Sequence, residues 1–165
     1  MKDMNVIRKS ILLFTGFFFG LMTGCSSTVD SLENVPRSVL LSSSEGLMIE
    51  GREITLNANL NRDFAPSSPP NGRPLITWIE IVTSKGSDLP DGLMTDAVWV
   101  IVDNEIWGSS YSDEQFTEDK SRIVKIARDG PKFGVGKKAE VIVRIHHDGH
   151  TYLLRATGLK IEQTM

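Results

Sequence analysis

The sequence predicts an all-β fold: an antiparallel immunoglobulin-like β-sandwich of about seven to eight strands, with a small closed β-barrel as the alternative. Three observations predict it. Apolar residues recur with a period of two, as in Ile54, Leu56, Ala58 and Leu60 set against Glu53, Thr55, Asn57, Asn59 and Asn61, the pattern of a strand with one wet face. Turn-forming pairs such as Asp103-Asn104 and Asp148-Gly149 break these runs at the spacing of an antiparallel sandwich. Beyond residue 36, no segment of ten or more residues carries an apolar stripe of helical period.

Taken in order, residues 39–41 and 47–49 read as short opening strands, followed by the alternating strand 54–60. Residues 75–82 (Leu-Ile-Thr-Trp-Ile-Glu-Ile-Val) are β-branched and aromatic, which marks a central strand. Residues 97–102 read the same way and turn at Asp103-Asn104 into 105–111. Residues 112–120 have room for at most a turn or two of helix, and 122–128 form another strand. In 140–147, Val141, Val143 and Ile145 alternate inward against Ile142, Arg144 and His146. Asp148-Gly149 is a two-residue hairpin signal of type I′, because both positions tolerate positive φ. Residues 152–156 pair back, and 159–161 end the domain. Two loops stand out at the sandwich ends. Residues 62–74 contain four prolines, and 129–138 are rich in glycine and lysine.

The chemistry-bearing residues are few. All three histidines fall in His146-His147-Asp148-Gly149-His150. With a turn at Asp148-Gly149, His147 and His150 face each other across the hairpin and His146 points to the opposite face. His147 and His150, with Asp148 as a further candidate, are therefore the metal-ligand candidates for Zn²⁺ or Cu²⁺, short of the three or four ligands of a committed zinc site; a solvated hairpin tip is the alternative. The glycine-lysine loop is not a phosphate cradle: Gly136-Lys137 is followed by Lys138, Pro131 occupies the first-glycine position, and a strand follows where a helix is needed. There is no Gly-x-Ser-x-Gly elbow, so no catalytic residue and no cofactor is expected. Asp113-Glu114 and Glu118-Asp119 read as a solvated acidic stretch, with weak calcium binding as the lesser alternative. Trp78 and Trp99, in the most apolar strands, are expected in the core. Trp107 is expected to be partly exposed and, with Tyr111 and Phe116, to form an aromatic patch for a partner or a sugar.

The first 24 residues have a different character. Lys2, Arg8 and Lys9 precede an apolar run over 11–22, which small residues and Cys25 then close. A basic end, a short apolar core and a small-residue cut site make a secretory signal peptide, and the run falls short of the roughly 20 residues that cross a bilayer. Met22-Thr23-Gly24-Cys25 resembles the lipobox of bacterial lipoproteins, with methionine in place of the more frequent leucine. The resemblance covers residues 1–25 only. It implies cleavage before Cys25, lipidation of Cys25 and a stable acyl anchor; Ser26, in place of aspartate, implies outer-membrane sorting if the cell is Gram-negative. Three parts follow: a signal peptide over 1–24, a lipidated cysteine and flexible tether over 25–35, and one β domain over 36–165.

Cleavage removes Lys2, Arg8, Lys9 and Asp3 and leaves 141 of the 165 residues, with 15 basic and 20 acidic side chains and a net charge of −5. That balance argues against a nucleic-acid partner, which needs clustered Lys and Arg. The only cysteine is the lipidation site, so the domain has no disulfide. The function expected is a non-catalytic binding or structural module of the cell envelope, with an envelope protein or a glycan as partner. The alternative is a metal-handling or enzymatic accessory protein built on the His147/His150 hairpin. A third reading, an inhibitor presenting 65–74 as a rigid loop, has no motif behind it.

Overall fold

In the computed structural model, Leu32, residues 35–115 and residues 119–165 are described. Residues 1–31, on which the expected signal peptide and Cys25 fall, and Phe116 lie outside them. The chain runs α1 (Arg37–Leu41), β1 (Gly46–Ile49), β2 (Arg52–Asp63), β3 (Leu75–Thr83), β4 (Met94–Val102), β5 (Glu105–Ser109), β6 (Asp113–Gln115), β7 (Arg122–Gly130), β8 (Lys138–His147) and β9 (His150–Thr164). The strands form one sheet in the order β5-β4-β8-β9-β2-β3-β7-β6, with β1 added on β2. The fold is all-β, a single sheet curled over its own core. It takes elements of both the sandwich and the barrel that the periodicity allows.

The curl is made by β9. Residues 150–160 pair antiparallel with β8, and the last residues pair parallel with β2, Leu60 opposite Ile161 and Asp63 opposite Thr164. The sheet is therefore mixed and not wholly antiparallel. Near the end of the β8 pairing, Ala139 opposes Leu159 and Val141 opposes Ala156, so that Thr157 and Gly158 together face Glu140. This is a β-bulge, which bends and twists the strand that carries it. Gly158 sits at φ +70°, where a Cβ is unfavourable.

The two layers thus enclose one core. Val98, Val100, Val141, Val143, Ile145 and Leu154 of one layer meet Ile54, Leu56, Leu60, Ile79, Ile81 and Ala127 of the other. A second, smaller cluster lies on the outer face of β4 and β8. There Trp99, Ala97, Ile101 and Ile142 are covered by Leu40, with Leu32, Val35 and Leu41 around it. The Trp99 indole N–H donates to the Leu32 carbonyl at 2.9 Å.

Four sequence expectations change. Residues 39–41 form a turn of helix after Pro36 and not a strand, because Leu40 is needed as a lid on Trp99. The tether does not extend to Val35, since Leu32 and Val35 already pack on the domain. Ile142 points to the face opposite Val141, as the alternation requires, yet it is buried by that same lid. Within 112–120, β6 pairs with β7 as a short, charge-rich edge strand and is not helical.

The two prominent loops meet at one end of the sheet, and Arg62 binds them together. It is buried, and its guanidinium donates to the carbonyls of Arg73, Asn71, Phe133 and Lys132. Its cation lies 5.0 Å from the centre of the Phe64 ring. Phe64 in turn fills the space where a Cβ on Gly72 would stand, 2.6 Å away. Lys132 donates to Asn71 Oδ1 at 2.8 Å, so a second bond joins the loops.

On the outer face of β4 and β8, Arg144 makes a two-pronged bond to Asp96 at 2.8 Å on each arm, and His146 Nε2 lies 3.1 Å from Asp96 Oδ1. Partial burial pushes the Asp96 carboxyl up, but the bonds from Arg144 and His146 outweigh it and hold the group below its ordinary range.

Two predictions follow from this packing. Arg62→Met leaves the buried Phe133 carbonyl and three part-buried carbonyls without this donor and is expected to lower stability by about 3 kcal/mol, read from the denaturant midpoint of the full-length chain. For Asp96, a folded pKa below the unfolded value of about 3.9 stabilises the protein above that pH and is lost as pH falls through the folded value. Asp96→Asn is therefore expected to be less stable than wild type near neutrality, with the gap closing in acid, measured by thermal melts across pH.

Candidate functional site

Alternation along β3 decides which side chains reach the surface. Leu75, Thr77, Ile79 and Ile81 are buried, so Ile76, Trp78, Glu80 and Val82 take the opposite face. Trp78 is 40% exposed. This corrects the expectation that Trp78 belongs to the core. The strand is apolar on both faces, and the polar Glu80 two residues on marks which phase is wet. Trp99 is buried as expected.

Neighbouring strands complete a surface around Trp78. Asn59 of β2 lies directly across from it, as does Ile126 of β7 on the other side. Asn57 pairs with Glu80, which in turn faces Val124. The Asn57 amide donates to Glu80 Oε2 at 3.3 Å, and Arg122 donates to Glu80 Oε1 at 3.3 Å. Arg122 also reaches Asp119 Oδ2 at 3.1 Å, and Asp119 accepts bonds from the backbone N–H and hydroxyl of Ser121. A polar row thus runs across three strands beside an exposed indole. Asn57, Asn59, Trp78, Glu80, Arg122 and Val124 line a shallow open groove of about 410 Å³, within the size of small-ligand sites. An indole face with fixed amide, carboxylate and guanidinium groups beside it can stack on an apolar ligand face and hydrogen-bond its hydroxyls.

The residues singled out in the sequence fall elsewhere. Trp107 is half-buried and packs on the main core over Gly130, where a Cβ would stand 3.1 Å from the indole. Tyr111 also packs on the core, its hydroxyl 2.8 Å from Thr95 Oγ1 and donating to the Ala97 carbonyl at 3.0 Å. Burial pushes its phenol well above the ordinary range. With both rings turned inward, Trp107 and Tyr111 present no shared exposed patch; Phe116 lies outside the described residues, as does Cys25.

The histidine hairpin has the predicted turn, with Asp148 at φ +47° and Gly149 at +73°, and the predicted register, His147 opposite His150. Its two histidines nonetheless differ in environment. His147 is buried and faces Glu50, while His150 is exposed beside Tyr152, with ring centres 6.3 Å apart. His146 takes the other face as expected.

The loops are committed to structure. Lys137 pairs with Asp103 at 2.7 Å, and Arg62 holds 62–74 in place.

Sequence reasoning missed Trp78, Asn57, Asn59, Glu80 and Arg122. The readable signal was their common outward phase on adjacent strands. It also missed Glu50, whose Glu50-Gly51 turn repeats the acid-glycine pattern of Asp148-Gly149 with φ of +49° and +74°. No family model matches the chain, and neither a curated protein nor a solved structure matches it.

Proposed function

We propose that this chain is a lipid-anchored, non-catalytic binding module of the cell envelope, and that it holds a glycan on the Trp78 face. The observation that carries this reading is the exposed indole of Trp78 in a groove edged by Asn57, Asn59, Glu80 and Arg122. Aromatic surface of this kind is costly to leave in water, and on a sheet it makes a flat stacking platform. The C–H faces of a sugar ring suit the indole, and its hydroxyls suit the polar row. Both oxygens of Glu80 are already engaged, a geometry that favours fixed hydrogen-bond recognition over acid–base work.

The anchor rests on Met22-Thr23-Gly24-Cys25. Because Leu32 packs on Trp99, only residues 26–31 separate the acylated cysteine from the domain. Six residues span at most about 20 Å, so an anchored domain sits close to its membrane. A glycan of the envelope is then within reach and a distant partner is not.

Two experiments test the two halves of this reading. Soluble peptidoglycan fragments and other β-linked oligosaccharides, titrated into the full-length chain in detergent, are expected to shift its tryptophan fluorescence. Trp78→Ala is expected to weaken binding by at least about tenfold, with an unchanged melting profile. Binding that survives this substitution contradicts the assignment of the face. For the anchor, metabolic palmitate labelling is expected to mark the wild type. Cys25→Ser is expected to lose the label and move the protein to the soluble fraction.

A further inference from the structure

The tips of two hairpins meet at one place on the molecule. The β1–β2 turn carries Glu50 and the β8–β9 turn carries Asp148, with His147 beside it. One donor atom from each of Glu50, His147 and Asp148 lies within 4.8 Å of the other two. His147 is the unusual member. Its side chain is only 6% exposed, and its buried Nε2 makes no hydrogen bond. Buried polar atoms without partners are rare, because the lost hydration is not replaced. The nearest candidate, Glu50 Oε1, is 3.5 Å away, too far for a good hydrogen bond. That separation does match two donors on one tetrahedral zinc ion: with bonds of about 2.0–2.1 Å, they sit about 3.3 Å apart.

We infer that Glu50, His147 and Asp148 form a divalent transition-metal site, of which Zn²⁺ is the ion best suited, with water completing the coordination. The imidazole supplies the donor that zinc prefers and the two carboxylates neutralise its charge. Asp148 Oδ2 lies 3.9 Å from His147 Nδ1, the ring nitrogen that does not face Glu50, so the 79% exposed Asp148 side chain must swing toward Nε2 to join the ion; with Glu50 half-exposed, the site opens to solvent on one side. Arg52 lies 3.7 Å from the other Glu50 oxygen, an exposed ion pair at the rim of the cluster. His150 takes no part: although it pairs with His147 across the hairpin, its side chain is exposed beside Tyr152 and lies outside the cluster. The site would tie β1–β2 to β8–β9, hairpins from opposite layers of the curled sheet. It is separate from the Trp78 face and does not depend on that reading.

The test is calorimetric titration of Zn²⁺ into the full-length chain in detergent. One ion per chain is expected, with a dissociation constant in the micromolar range and a rise in melting temperature when zinc is added. Glu50→Gln and Asp148→Asn alter only exposed carboxylates, and Asn tolerates the positive φ at position 148. Each is expected to weaken binding by at least about tenfold, while His150→Ala binds as the wild type does. His147→Ala is expected to abolish binding. Absence of zinc binding in the wild type, binding indifferent to both carboxylate variants, or binding lost through His150→Ala overturns the inference.

Discussion

The passage of β9 from β8 to β2 is the constraint on which the rest of the structure depends. A strand of 15 residues serves both layers, and the two-residue bulge at Thr157 and Gly158 gives it the bend to do so. Without the parallel pairing at Leu60 and Ile161, the apolar faces of β4–β8 and β2–β3–β7 would have no common core to close on. The chain has no disulfide to substitute for that closure, since its one cysteine is Cys25. Burial of the shared core must therefore supply most of the stability.

Closing the inner faces on one another leaves two outer faces, and the chain treats them differently. Over β4 and β8, Leu32, Val35, Leu40 and Leu41 lay down a second apolar layer that seals Trp99. Over β2, β3 and β7, the indole of Trp78 stays in water among polar neighbours. The contrast matters because both tryptophans occupy outward positions of interior strands. One is satisfied within the chain and the other stays exposed to water, which is the physical basis of the proposed glycan face.

Much of this was legible in the sequence, and the failures have physical causes. Period-two runs at 54–60 and 140–147 located β2 and β8, and Asp148-Gly149 located a hairpin with the expected dihedrals. Side-chain direction was harder to read where both phases are apolar. In 75–82 nothing but Glu80 separates wet from dry, so Trp78 was assigned to the wrong side. Residues 39–41 are too short for a period, and only the need to cover Trp99 makes them helical. The link between His147 and Glu50 spans almost the whole domain and depends on two hairpin tips converging. No local pattern carries that information. Arg62 is a related case: a charged residue in a strand becomes a buried staple only once both loops are in place.

The most direct measurement is nuclear magnetic resonance of the three indole N–H groups in the full-length chain, followed as an envelope oligosaccharide is added. The account predicts that the Trp78 signal moves and saturates, together with the backbone signals of Asn57, Asn59, Glu80 and Arg122. The Trp99 indole, bonded to the Leu32 carbonyl, is expected to hold its position. A response confined to Trp99 or Trp107, or to the loops clamped by Arg62, would contradict it.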